Sequence, residues 1–182
     1  MQKLRMKFAL LTSIFLFTSC VAHAQSNPQV QSGLSVVDAK GKRVGAVLGF
    51  ASTEIQETIG SAPVIALKMN GFLLVLAVES DRFVGSRSFL VFESTDCSGT
   101  PFLEASTPDI RLVPRSAVMD QIVYAEATNN VQTVTIHSRM PVNGSILPST
   151  CQTNINPSNV RVTQAVPVTD MSVHFTPPFS IR

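Results

Sequence analysis

Ser98 stands in the run Asp96-Cys97-Ser98-Gly99-Thr100-Pro101, just after the apolar stretch Phe89–Phe92. A serine on a turn beside an acid could be a hydrolytic nucleophile, given a histidine to take its proton. The chain has three histidines, His23, His137 and His174. His23 lies in the leader described below, so the base would be His137 or His174, oriented by Asp109 or Asp120. That serine–acid–histidine order belongs with a Gly-x-Ser-x-Gly elbow, and no such pentapeptide occurs here. The same residues also have the composition of a type I turn, with Asp first and Gly fourth. In that reading Asp96 accepts from backbone downstream of it, and Cys97 pins the end of a strand.

Two further chemistries need weighing. Cys97, His137, Cys151 and His174 are four zinc-ligand types, but their spacings are wide. No Cys-x-x-Cys or His-x-x-x-His pair pre-forms half a site, so neither a metal nor another cofactor is expected. Glu54/Glu57 and Glu79/Asp81 are close in sequence. Glycoside hydrolysis instead needs carboxyls facing each other across a cleft. The chain has no Trp and one Tyr, Tyr124, which also leaves few aromatic platforms for sugar rings.

The N-terminus sets the compartment. Lys3, Arg5 and Lys7 precede an uncharged run, Phe8 to Phe17, and then Ala22-His23-Ala24. A basic start, a short apolar run and a small-x-small site make a secretory signal peptide, cut between Ala24 and Gln25. The run is shorter than the ~20 residues that span a bilayer, so no transmembrane segment should remain after cleavage. The alternative is a lipobox-like Phe17-Thr18-Ser19-Cys20, with cleavage before Cys20 and acylation of its thiol. The expected location is the periplasm or the exterior of a Gram-negative-type bacterium; with acylated Cys20 it becomes the outer membrane, as a lipoprotein.

Removing residues 1–24 changes both charge and cysteine count. The full chain has 14 Lys+Arg against 12 Asp+Glu, and the leader holds three of the basic residues and no acid, leaving 11 against 12, or −1. No basic cluster remains beyond Lys40-Gly41-Lys42-Arg43, so a nucleic-acid partner is not expected. Cys97 and Cys151 are the two cysteines left. In an oxidising compartment they read as one disulfide.

The elements that must position these residues are short strands. Residues 25–33 read as a polar tail and 34–182 as one domain. Leu34–Val37 and Val44–Phe50 flank a turn at Asp38–Lys42. Val64–Met69 and Phe72–Val78 flank Asn70-Gly71, the strongest short hairpin signal, because a type I′ turn needs φ > 0 at both central residues. The unbroken apolar run 72–78 suggests a central strand covered on both faces. Glu79-Ser80-Asp81-Arg82 reads as a polar turn. Further strands are expected at 88–94, 110–113, 118–126, 131–139, 160–168 and 171–175, with a turn at Asn143-Gly144. Thr53 and Gln56 could form a capping box with Ile55 and Ile59 four apart, which favours a short helix or irregular connection. The same stretch also alternates as a strand. The fold expected is all-β: a single, mostly antiparallel sandwich or barrel-like meander of about 8–11 strands with at most one short helix.

Val36-Val37-Asp38-Ala39-Lys40-Gly41-Lys42-Arg43-Val44-Gly45, Val64 to Gly71, Phe83-Val84-Gly85 and Phe92 to Pro101 together resemble a loose group of uncharacterised exported bacterial proteins. These share a V-x-D-A-x-G-K-x-V-G start and a D-C-S-G centre. The resemblance spans residues 34–103, rests on turn motifs, and implies an exported β-domain without catalytic residues to carry over. The expected function is a non-catalytic envelope or extracellular module that binds an unknown protein or surface ligand. The alternatives are a secreted hydrolase and a lipocalin-like carrier of a small ligand.

Overall fold

The computed structural model describes residues 33–55, 58–105, 114–127, 130–142 and 150–182. Ser32–Arg182 form one compact unit. The fold is all-β, with thirteen strands in two antiparallel sheets and a single 3₁₀ turn among the described residues.

The first sheet has the order β13-β1-β2-β3-β4-β5. Its strands are β1 (Ser35–Val37), β2 (Arg43–Ile55), β3 (Thr58–Met69), β4 (Phe72–Val78), β5 (Phe83–Val84) and β13 (Ser180–Ile181). The β3–β4 turn is the hairpin its sequence predicts: Asn70 and Gly71 lie at φ 49° and 84°, the left-handed region that type I′ demands. The β1–β2 turn is organised by Asp38, whose carboxylate accepts from the backbone N–H of Lys40, Lys42 and Thr176. The sheet curls until its edges meet at one end. There the Phe179 N–H donates to the Ser80 carbonyl at 2.7 Å, and the Phe83 and Phe179 rings lie 4.8 Å apart.

The second sheet has the order β11-β6-β7-β12-β9-β8, with β10 also on β12. It comprises β6 (Phe89–Phe92), β7 (Phe102–Glu104), β8 (Ser116–Met119), β9 (Ile122–Glu126), β10 (Gln132–Ile136), β11 (Ser138–Pro141) and β12 (Ser158–Asp170). β12 is the spine: it pairs with β10 along Ser158–Val162, with β7 along Val162–Gln164 and with β9 along Ala165–Asp170. Pro167 sits at a bulge in that last ladder, where a residue without an N–H costs least.

The principal core joins the sheets. Ile65, Leu74, Leu76 and Phe83 from the first meet Val118, Val123 and Val168 from the second and Met171 just beyond it. Gly85 marks the closest approach. A Cβ there would lie 2.6 Å from the Ala117 Cα and from the Ser116 carbonyl oxygen, so only glycine lets the backbones pass. Smaller clusters around Leu90, Phe92 and Leu103, and around Val91, Phe102 and Val162, fill the rest of the second sheet.

Several expectations change. Thr53–Ile55 and Thr58–Ile59 are strand rather than helix: Thr53, Glu54 and Ile55 pair with Gly60, Ile59 and Thr58 in the β2–β3 ladder, so the alternation of these residues outweighs the capping box. β4 is covered on one face rather than two, with Leu74, Leu76 and Val78 buried and Leu73 half exposed. Residues 118–126 are not one strand but the β8–β9 hairpin, turning through Asp120 and Gln121 at φ 49° and 70°. The 131–139 stretch breaks at His137 into β10 and β11. Met171–Val173 is a 3₁₀ turn, not a strand, capped by Asp170. Phe102–Glu104 is a strand with no counterpart in the sequence reading. The strand at 110–113, the Asn143-Gly144 turn, Gln56, Cys20 and the Ala24–Gln25 cleavage site lie outside the described residues.

Candidate functional site

The serine in Asp96-Cys97-Ser98 holds a turn together. Its hydroxyl donates to Asp96 Oδ1 at 2.6 Å, and its backbone N–H donates to the same oxygen at 3.1 Å. The identical arrangement recurs at Asp170-Met171-Ser172, with 2.6 Å and 2.9 Å, where it caps a 3₁₀ turn. A local Asp-x-Ser lock explains both places without a nucleophile. Hydrogen bonds from Ser98 hold the Asp96 carboxyl below its usual range, as those from Ser172 do for Asp170. The His174 imidazole is engaged elsewhere, and His137 stands where β11 meets the end of β6. His174 Nε2 is 3.0 Å from the Thr169 hydroxyl, and the His137 backbone N–H donates to Phe92. The turn is not type I, because Cys97 takes φ 58°.

Cys97 is bonded to Cys151 across a sequence separation of 54. The bond ties the end of β6 to the segment entering β12. Buried Ser138 completes the joint, accepting from the Cys97 N–H at 2.9 Å and donating to the Ser94 carbonyl at 2.7 Å. With both sulfurs oxidised, neither thiolate is free for zinc, and the described residues hold no group of three metal-ligating side chains.

A concave feature lies elsewhere, in the first sheet. β4 pairs with β3 only from Val64 to Met69, and β1 pairs with β2 only from Arg43 to Ala46. The last bond on the outer edge of β2 runs from the Val47 N–H to the Leu34 carbonyl, 2.8 Å. Beyond it, Gly49–Ile55 and Thr58–Pro63 pair with each other alone among the described residues. A two-stranded ribbon therefore overhangs the sheet. At its root opens a cleft of about 520 Å³. Val36, Pro63, Val78, Phe179 and Ile181 give it an apolar wall, and the Glu79–Arg82 turn gives it a charged rim.

Two large apolar side chains stand exposed on the overhang, Leu48 at 65% and Phe50 at 56%. Phe50 is paired with Pro63, and cross-strand partners share a face, so Phe50 stands next to a residue of the cleft wall. On the rim, Arg82 Nε lies 2.5 Å from Glu79 Oε2 and 3.8 Å from Asp81 Oδ1. Glu79 is nearly covered, whereas the Asp81 side chain is 69% exposed. The rim thus carries two carboxylates on one guanidinium. Behind the cleft the curled sheet is filled, with Ile65, Leu74 and Leu76 at most 1% exposed.

Sequence reasoning recognised 79–82 as a turn but found neither ribbon nor cleft. The cleft joins Val36 to Phe179, which no spacing rule connects, and the ribbon's residues were those of the helix-or-strand ambiguity. No helix among the described residues is long and apolar enough to cross a membrane. No family model, curated protein or solved structure matches the chain.

Proposed function

We propose that this chain is an exported, non-catalytic β-domain that binds another macromolecule through the β2–β3 ribbon and the cleft at its root. The observation that carries this reading is the overhang itself. A two-stranded ribbon gains little stability without a packed face, and this one holds Leu48 and Phe50 in water beside an open apolar cleft. Exposed apolar surface rimmed by polar groups is the usual mark of an interaction site. Export, by a signal peptide cut at Ala24–Gln25 or by acylation of Cys20, accords with the disulfide, which persists in an oxidising compartment. N-terminal sequencing of the exported protein separates the two routes.

The test of binding is a photo-crosslinking residue placed at position 50, and as control at Thr133, an exposed position on β10, in cells exporting the protein. Adducts are expected at position 50 and not at 133. Equal labelling at both sites, or none at either, overturns the reading.

A further inference from the structure

Asn70-Gly71 is a chemically reactive pair as well as a turn. The Gly71 main-chain nitrogen can attack the Asn70 side-chain carbonyl carbon, because glycine has no Cβ to shield it. The new C–N bond closes a five-membered imide while the bond to the side-chain nitrogen breaks. That nitrogen takes the Gly71 proton and leaves as ammonia. Water then opens the ring at either carbonyl, giving aspartate or isoaspartate. Both residues are exposed, so water reaches them.

Two features of the fold oppose this reaction. Positive φ at both residues, 49° and 84°, defines a type I′ turn, whose first central residue has ψ of about +30°. That rotation carries the Gly71 nitrogen away from the Cβ side of Asn70, and ring closure needs it brought round. The second feature is the side-chain amide, which donates to the Val168 carbonyl at 2.7 Å. A carbonyl only accepts, so the amide must present its nitrogen there, and that nitrogen is the leaving group. An irregularity in β12 makes the acceptor accessible: the ladder with β9 runs from Pro167 to Thr169 and skips Val168, as it does at a bulged residue. The contact joins the hairpin of the first sheet to the spine of the second across a sequence separation of 98.

We propose that Asn70 is a self-modifying site gated by the docking of its hairpin on β12. Docked, the pair is held out of reach of ring closure. Lifted, Asn70 closes on Gly71 and loses its amide. The product does not redock as before, because an ionised carboxylate has no proton to donate to the Val168 carbonyl. Isoaspartate also lengthens the main chain inside a two-residue turn that sets the Met69–Phe72 register. A brief parting of the two sheets at this point is thereby recorded as a covalent change.

The exported chain is incubated at mildly alkaline pH with and without denaturing urea. Peptide mass spectrometry follows the exchange of NH2 for OH at Asn70. In urea Asn70 should react as fast as Asn143-Gly144, the other such pair in the sequence. Without urea it should react about tenfold more slowly or less, because a docked contact must open first. Asn70→Asp keeps a residue type that accepts the left-handed turn but removes the donor, and should lower Tm at pH 7 by about 2–6 °C. Equal rates at Asn70 with and without urea would mean that docking does not gate the site, and overturn the proposal. So does an Asn70 that stays intact in urea, or an unchanged Tm in Asn70→Asp. The rates are read on the unaltered chain and decide the gate even where the variant fails to fold.

Discussion

The two ends of β3 are built differently. Its C-terminal half, Val64–Met69, has β2 or β4 beside it and the second sheet over its inner face, with Ile65 fully buried and Leu67 and Met69 packed on the same core. The hairpin that follows is tied down as well: the Asn70 side-chain amide donates to the Val168 carbonyl at 2.7 Å. Its N-terminal half, Thr58–Pro63, pairs only with β2 among the described residues. One end has tertiary packing to hold its ladder in place, and the other has the ladder alone. Stability of the domain should therefore reside in the first region and recognition in the second, and substitutions can separate the two.

The largest effect should come from the disulfide, which belongs wholly to the packed body. Closing a loop of 54 residues is worth about 4 kcal/mol on the chain-entropy account, out of roughly 5–15 kcal/mol for a domain. Cys97→Ser and Cys151→Ser should each lower Tm by roughly 8–16 °C. The double variant should be no worse than the worse single one, because both lose one bond. Additive losses by thermal denaturation would mean that each cysteine contributes something other than that bond. Next comes Gly85→Ala. Its Cβ would meet main-chain atoms of Ala117 and Ser116 at 2.6 Å, and backbone cannot rotate aside as a side chain can. The sheets must separate locally, at a cost of about 2 kcal/mol. An unchanged urea midpoint would show that this junction is looser than the packed half of the comparison requires.

The packed half is also the half that was legible in the sequence. Asn70-Gly71 and Lys40–Arg43 announced their turns because glycine there meets a positive φ that other residues resist. Cys97 and Cys151 announced their bond because two cysteines following a leader-like N-terminus read first as one disulfide. Asp120-Gln121 adopts the same left-handed pair without glycine, so the β8–β9 hairpin was read as one strand. Residues 53–59 fit both a helical and a strand period, and only the ladder with β3 decides between them. The cleft depends on curling of the sheet, which brings Phe179 to Ser80; that closure is a property of the whole sheet and has no local signature. Asp-x-Ser can lock a turn or arm a nucleophile, and the residues alone do not name the partner of the hydroxyl; in the fold that partner is Asp96.

Acid should unfasten the packed body through Asp38. Burial alone would raise its pKa, but the N–H groups of Lys42, Thr176 and Lys40 outweigh burial and hold the carboxyl below its ordinary 3.8. A group whose folded pKa is depressed contributes stability that is present above the unfolded value and lost as pH falls through the folded one. Stability should thus be flat near neutrality and fall once the pH drops below about 4, with Asp96 and Asp170 adding to the same limb. Asp38→Asn removes the titrating group at the β1–β2 turn. It should lower Tm at pH 7 and narrow the difference in Tm between pH 7 and pH 3. An undiminished acid loss in that variant would assign the effect to other carboxylates.

The smallest expected effect on stability is the most informative about the overhang. Leu74 and Phe50 are both large apolar residues on strands of the same sheet, yet one is 1% exposed and the other 56%. Leu74→Ala removes contacts from the joined core and should cost roughly 2–5 kcal/mol. Phe50→Ser removes a ring that already faces water, so its effect should lie within roughly 0.5 kcal/mol of zero. It can even be slightly favourable, since it takes an exposed apolar group off the surface of the free protein. Paired denaturation curves for the two variants measure this directly. A loss with Phe50→Ser approaching that of Leu74→Ala would mean that the ring is packed in solution and that the ribbon belongs to the body of the domain. A near-zero loss, with crosslinking from position 50 retained, would leave recognition as the physical reason for keeping phenylalanine there.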